Sequence, residues 1–121
     1  MFNAFFYWLI FSFLSFGQSQ NITFLASVPD STDNVYLIGN HPNLGNWNHS
    51  NAVKLEFVND TLFSTTVSLP IHKNIKFKFT RGDWEKEALN ENMSVPSNYS
   101  IISGKSDTLA YSILSWKDWQ K

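Results

Sequence analysis

The sequence predicts an all-β fold, an antiparallel immunoglobulin-like β-sandwich of about seven short strands. Short runs that alternate apolar and polar residues, or are rich in β-branched residues, recur along the chain with turn-forming residues between them. No stretch combines a sustained 3.6-residue period with helix caps. The 121 residues suffice for one domain of ordinary size. Short strands at such spacing favour a sandwich with Greek-key connections.

Each predicted strand ends at a turn signal. The first strand stops at Pro29, the second runs into Gly39, and the third alternates until it meets Asn59. The fourth ends at Pro70, because proline has no N–H for the strand ladder. The predicted strands are residues 21–28, 35–38, 53–57, 62–69, 75–80, 84–88 and 108–114.

The fifth predicted strand, residues 75–80, alternates most regularly. Its apolar side chains occupy one face, and its lysines occupy the other. Arg81-Gly82-Asp83 then predicts a turn before the short strand 84–88, and residues 108–114 close the domain. The predicted core comprises Phe24, Val35, Leu37, Val53, Leu55, Leu62, Val67, Ile75, Phe77, Phe79, Leu109 and Ile113.

The first 17 residues differ from the rest, because they are uncharged and contain eight aromatic residues. Their apolar run, residues 4–16, has the length of a signal-peptide core and is shorter than the roughly 20 residues of a membrane span. Ser15 and Gly17 stand where a cleavage site places small residues. We therefore predict a signal peptide at 1–17, a secreted or periplasmic domain at 18–115, and a tail or linker at 116–121. The alternatives for residues 1–17 are an uncleaved amphipathic or core helix and a retained single-pass membrane anchor.

Composition and motifs argue against several classes of function. Nine Lys and Arg against ten Asp and Glu give a net charge of −1, which does not favour binding of nucleic acid by charge. The absence of cysteine excludes disulfides and thiolate chemistry. His41, His49 and His72 have no metal-ligand spacing and are expected to be solvated loop residues. Glu85 and Glu87 share one face of the predicted strand, where glycosidase chemistry needs two carboxylates across a cleft. We expect no catalytic residues, metal or cofactor.

Two tryptophans stand out as candidate binding residues. Trp47 lies among the turn-forming residues 40–48, and Trp84 directly follows a Gly-Asp turn. Neither continues a core-facing alternation, so both are expected to be exposed at one end of the sandwich. An indole can cover the apolar C–H face of a glucose ring, and two angled indoles suit a curved α-glucan. Lys78 and Glu85 are the expected donor and acceptor for the sugar hydroxyls.

The same residues carry a resemblance to a known family. Val35–Gly39, then Leu44-Gly45-Asn46-Trp47-Asn48, and later residues 75–81 with Trp84-Glu85 resemble the starch-binding domains of carbohydrate-binding module family 20. The resemblance covers about residues 20–115 and implies a non-catalytic sandwich that binds starch-like or glycogen-like α-1,4-glucan or maltooligosaccharides. It also implies a first binding site that contains Trp47, Lys78, Trp84, Glu85 and a downstream asparagine. Asn90 is the nearest asparagine by spacing, and Asn98 is its rival.

The chain also departs from the family pattern. The positions of the family's second-site aromatics fall near Ser31, Asp60 and Phe63, so a second sugar site is not expected. Residues 77–85 resemble a subgroup placed ahead of secreted bacterial esterase domains. The alternative function is therefore a sandwich that binds no sugar and packs against a catalytic esterase or hydrolase domain. A small enzyme in its own right would need a cleft with two converging titratable groups.

Overall fold

A computed structural model describes residues 18–119, so the predicted signal peptide lies outside the described residues. The strands are β1 (Ser19–Ser27), β2 (Tyr36–Gly39), β3 (Val53–Lys54), β4 (Glu56–Asn59), β5 (Leu62–Pro70), β6 (Asn74–Thr80), β7 (Ala88–Leu89), β8 (Tyr99–Ile102), β9 (Thr108–Ser112) and β10 (Ser115–Trp116). The helical segments are short 3₁₀ turns at Pro42–Trp47, His49–Asn51, Trp84–Lys86 and Lys117–Trp119. None of the helices among residues 18–119 is long and apolar enough to cross a membrane.

Two four-stranded sheets form the domain, with strand orders β4-β5-β1-β9 and β3-β2-β6-β8, and β7 pairs separately with β10. The predicted all-β sandwich is confirmed. Its pairing is antiparallel except between β1 and β9, which are parallel. This exception arises because β9 arrives from the opposite sheet rather than through a hairpin, and only a hairpin requires antiparallel neighbours.

The core lies between the two sheets, where Phe24 of β1 meets Phe77 of β6 edge-on with ring centroids 5.2 Å apart. Nine of the twelve predicted core residues are buried, and Val53 and Leu109 pack partly buried against them. The exception is Leu62, which is half-buried while its neighbour Phe63 faces the core. Side chains alternate along a strand, so Leu62 and the buried Val67, five residues apart, belong on opposite faces.

The segment predicted as one strand at 84–88 is divided in the structure. Trp84–Lys86 forms a 3₁₀ turn, capped by Asp83 Oδ1, which accepts a hydrogen bond of 2.9 Å from the Glu85 backbone N–H. Pairing resumes at Ala88–Leu89. The strands β8 and β10 were not predicted either. The turn therefore interrupts the strand alternation predicted over residues 84–88.

The predicted boundary between the domain and a tail falls after residue 115, inside β10. Trp116 is fully buried and belongs to the core cluster. Its indole Nε1 donates a hydrogen bond of 3.1 Å to Thr32 Oγ1. Residues 116–119 are therefore an integral part of the packed domain.

Arg81 attaches the end of this segment to the sandwich. Its guanidinium carbon lies 5.6 Å from the ring centroid of Trp116 and 5.2 Å from that of Trp119. The same guanidinium pairs with the Asp118 carboxylate, which lowers the pKa of Asp118 through their hydrogen bond. Cation–π contacts and the ion pair thus tie the end of β6 to the segment after β10.

Candidate functional site

The two singled-out tryptophans meet at the surface. The ring centroids of Trp47 and Trp84 are 6.2 Å apart, and the ring planes are inclined by 40°. Trp84 is 38% exposed, and Trp47 is half-buried. The two residues come from different segments, the 3₁₀ turn after β2 and the turn after β6. Tertiary folding therefore assembles one angled aromatic surface from two loops.

The backbone that presents Trp47 is unusual. Gly45, Asn46 and Trp47 have φ values of 83°, 48° and 63°, three consecutive residues in the left-handed region. A Cβ on Gly45 would lie 2.8 Å from the backbone carbon and oxygen of Asn51, so only glycine fits there. A left-handed conformation costs a residue with a side chain about 1–2 kcal/mol. Observed strain of this kind clusters at functional sites, and here it lies beneath the half-buried Trp47 indole.

Polar groups border the tryptophan pair. Lys78 Nζ lies 2.6 Å from Glu87 Oε1, and these side chains are only 16% and 11% exposed. Phe77 of β6 stands opposite Tyr99 of β8, so the register places Asn98 beside Lys78. A shallow cavity of about 400 Å³ results, lined by Trp47, Lys78, Trp84, Glu87 and Asn98. The cavity combines indole surface with a cation, a carboxylate and an amide.

Three of the five predicted site residues, Trp47, Lys78 and Trp84, line this cavity, but Glu85 does not. The Glu85 side chain is 83% exposed, with its carboxylate 3.7 Å from Lys117 Nζ. Glu87 occupies the cavity because the 3₁₀ turn Trp84–Lys86 breaks the alternation that would have kept Glu85 and Glu87 on one face. Sequence reasoning noticed Glu87 only as part of a charged strand edge.

Asn90, the preferred asparagine by spacing, also lies outside the cavity lining. Its Oδ1 accepts hydrogen bonds of 3.0 Å from the Asn92 backbone N–H and 3.1 Å from that of Ser94. The side chain therefore closes its own turn. The geometry places the rival, Asn98, at the cavity instead. Proximity to Trp84 along the chain favours Asn90, whereas the β6–β8 pairing brings Asn98 beside the cavity.

His49 is a neighbour of the site that sequence reasoning missed. Its ring meets Trp84 edge-on, with centroids 4.4 Å apart and planes at 77°. Its Nε2 lies 3.0 Å from Thr80 Oγ1. Burial lowers the pKa of His49, and the charges of Asp83 and Glu87 oppose this change. His49 is thus half-buried and hydrogen-bonded, where the sequence suggested a solvated loop histidine.

The region of the family's second site was expected to lack its aromatics. Phe63 is buried there, and its ring packs edge-on against Phe57 with centroids 5.6 Å apart. Phe57 is largely exposed and lines a separate cavity of about 540 Å³. Among residues 18–119, no group of three or more His, Asp or Glu side chains is arranged to hold a metal ion.

The first cavity has the chemistry of a sugar site. Indole faces suit the apolar C–H face of a pyranose ring, and the lysine, carboxylate and amide suit its hydroxyl rim. One Lys78 N–H is directed at Glu87, and an ammonium carries three donors. The arrangement can bind a polyhydroxylated ring without chemical change to it.

Comparison with known proteins gives the family. The model of carbohydrate-binding module family 20, described as a starch binding domain, matches residues 19–110. The chain is 30% identical over 106 residues to an alpha-amylase of Niallia circulans, covering 84% of this chain and 8% of that protein. It is 32% identical over 92 residues to an alpha-amylase of Streptomyces violaceus, covering 71% of this chain and 16% of that protein. The chain thus spans a small part of the length of these relatives.

A solved structure of similar size agrees on the fold. It is the family 20 module of the maltotetraose-forming amylase from Pseudomonas saccharophila STB07, superimposed with a TM-score of 0.55 at 20% identity. The match covers 77% of this chain and 99% of that module. The family match across 19–110 and the shared sandwich lead to one conclusion: this chain belongs to carbohydrate-binding module family 20, the starch-binding domains, whose members are non-catalytic binding modules.

Proposed function

We propose that this domain binds α-1,4-glucan of the starch or glycogen type through a site in which Trp47 and Trp84 stack on successive glucose units. The observation that carries the proposal is the indole pair, with centroids 6.2 Å apart and planes inclined by 40°. A straight, flat chain such as cellulose stacks best on aromatic side chains whose rings are coplanar. In a curved α-glucan, successive glucose units present their faces at an angle to one another. The angle between the indoles therefore favours the curved ligand.

Lys78, Glu87 and Asn98 are the proposed partners of the sugar hydroxyls. Lys78 and Glu87 hold each other at 2.6 Å with little exposure, so their polar atoms are oriented before a ligand arrives. Preorganised donors and acceptors lose less entropy on binding than flexible ones. Glu85 and Asn90, which the resemblance suggested, are replaced in this proposal by Glu87 and Asn98.

Binding without cleavage fits the groups around the cavity. Glycoside hydrolysis ordinarily uses two carboxyl groups about 5–9.5 Å apart across the scissile bond. The described cavity lining contains one carboxylate, Glu87, and that carboxylate is paired with Lys78. The lining therefore supports a role for this domain in holding the glucan rather than cutting it.

The role in a full-length protein is part of the proposal. Two relatives are named alpha-amylases and are much longer than this chain, which supports a partner catalytic domain that acts on starch. The composition of residues 1–17 supports export to the cell exterior or periplasm. The alternative, a sandwich that only packs against a catalytic domain, is less favoured because Trp84 keeps 38% of its surface exposed. An esterase as that catalytic domain stays a prediction.

Titration with β-cyclodextrin and co-sedimentation with insoluble starch test the proposal. Trp47→Ala and Trp84→Ala should each weaken binding about tenfold, since a stacked ring contributes roughly 1 kcal/mol beyond its area. Phe57→Ala is the matched control, because Phe57 is an exposed aromatic outside the cavity. It should bind like the wild type. The proposal is wrong if the folded wild type binds no better than the Trp47→Ala, Trp84→Ala double variant.

A further inference from the structure

His49 connects the two loops that carry the tryptophans. It lies two residues after Trp47, and its ring rests edge-on against Trp84 at 4.4 Å. Its Nε2 and Thr80 Oγ1, 3.0 Å apart, form the hydrogen bond that joins the loop after β2 to the end of β6. Asn48 holds this loop in place, because its Oδ1 accepts a hydrogen bond of 3.1 Å from the Ser50 backbone N–H.

The hydrogen bonds of Thr80 indicate the protonation state of His49. Thr80 is fully buried, and its Oγ1 accepts a hydrogen bond of 3.1 Å from the Gly82 backbone N–H. The single hydroxyl hydrogen of Thr80 then needs an acceptor, and the His49 Nε2 lone pair lies within reach. A protonated Nε2 would leave that buried hydrogen without a partner. The neutral imidazole with its hydrogen on Nδ1 is therefore the form that satisfies both groups.

We propose that His49 is a positioning residue of the glucan site, and that in its neutral form it holds the Trp84 indole at its angle to Trp47. The inference rests on the proposed function. Protonation of His49 makes its Nε2 a donor and leaves the buried Thr80 hydroxyl hydrogen without an acceptor, which weakens the contact that fixes His49 beside Trp84. Glucan affinity then falls in mildly acidic solution.

The charged groups around His49 affect the pH at which this happens. Asp83, in the turn before Trp84, and Glu87, before β7, both raise the pKa of His49. Burial is the larger effect and lowers the pKa. Thr80, which faces His49 from β6, is uncharged. Lys78 is paired with Glu87 at 2.6 Å, which balances one of the two carboxylates. The transition is therefore expected below the ordinary range of histidine.

The first experiment uses the unaltered protein. β-Cyclodextrin is titrated at pH 8.0 and pH 5.0, and the His49 ring is followed by NMR from pH 4 to pH 8 with and without ligand. If only the neutral form binds well, affinity falls in proportion to the neutral fraction of His49, so binding weakens from pH 8.0 to pH 5.0 and is about twofold weaker at the pH where half of His49 is protonated. By linkage, the bound ligand lowers the pKa of His49. An unchanged or raised pKa in the complex would overturn the proposal.

Variants of His49 separate positioning from general structural support. His49→Gln keeps an acceptor for Thr80 but does not titrate, so its affinity should change less than twofold between the two pH values. His49→Ala removes both contacts and should bind about fivefold weaker at both pH values. His72→Asn is the matched control, because Asn tolerates the φ of 59° at that position and the substitution removes a histidine outside the cavity. It should reproduce the wild-type pH profile.

The outcomes distinguish this inference from the proposed function. If the folded wild type does not bind β-cyclodextrin at pH 8.0, both the proposed function and the proposed role of His49 are refuted. If the wild type binds and the double tryptophan variant does not, while His49→Gln and His49→Ala keep wild-type affinity and pH dependence, only the role of His49 is refuted. Melting temperatures verify that each variant is folded. The NMR titration uses the wild-type protein, so it tests the role of His49 even if a variant does not fold.

Discussion

Trp116→Ala tests whether the segment after β9 belongs to the core. Trp116 has no exposed surface, and the Arg81 guanidinium lies over its ring. Replacing a buried tryptophan by alanine costs about 3–5 kcal/mol, including the cavity that it leaves. Thr32 does not add to this cost, since its Oγ1 also donates a hydrogen bond of 2.7 Å to the Pro29 carbonyl. A domain of this size has about 5–15 kcal/mol of stability, so the variant should lose a large fraction of it.

Urea unfolding and thermal unfolding, both followed by circular dichroism, measure this loss in the intact chain. Trp116→Ala should lower the melting temperature by roughly 12–40 °C, because each kcal/mol is about 4–8 °C in a domain of this size. Trp116→Phe keeps a ring but not the indole N–H, and Trp119→Ala truncates a half-buried ring on the same segment. Both should cost less than Trp116→Ala. If Trp116→Ala unfolds at the wild-type urea concentration, the segment is a tail, and the boundary at residue 115 is correct.

Two further predictions concern the cavity and the core. Asn98→Ala should weaken β-cyclodextrin binding, measured by calorimetry, about three- to tenfold, as expected for one lost hydrogen bond. Asn90→Ala should leave this affinity unchanged and lower the free energy of unfolding by about 1 kcal/mol. Loss of affinity in Asn90→Ala alone would instead support the assignment from chain spacing. Burial raises the pKa of Tyr99 and of Tyr111, whose ring centroids are 5.0 Å apart. The fold favours the neutral phenols, so their contribution to stability is fully present below pH 10 and is lost as the pH rises through the raised pKa values. Urea unfolding between pH 8 and pH 11.5 should show this decline, and a Tyr99→Phe, Tyr111→Phe double variant that declines as steeply would contradict it.

Strand alternation explains why much of the fold could be predicted. In β6 the residues Ile75, Phe77 and Phe79 are buried as the pattern indicated, because one face of a half-buried strand must be apolar. Segments with a weaker alternation of apolar and polar residues were not predicted as strands. Tyr99–Ile102 forms a strand in the structure, yet its sequence gave no clear alternation, and its place beside β6 comes from pairing with a distant segment.

The candidate site was predicted in part for a similar reason. Trp47 and Trp84 could be singled out because they lie among polar, turn-forming residues and continue no core-facing alternation. Glu85 is the glutamate that chain proximity to Trp84 and the family's Trp-Glu pair favour, whereas Glu87 follows a capped 3₁₀ turn and lines the cavity. The turn changes the direction of each side chain that follows it, and alternation cannot represent that change.

The fold class, the family and the two aromatic residues of the candidate site could be predicted from the amino-acid sequence alone, because each depends on local patterns of apolar, turn-forming and aromatic residues. The tertiary structure was needed to show that Asn98 and Glu87 lie beside Lys78, that the His49 ring contacts Trp84, and that Trp116 packs in the core. The physical reason is that strand register and side-chain packing join residues far apart in the chain. Register depends on the fit of both partners, which neither segment encodes alone.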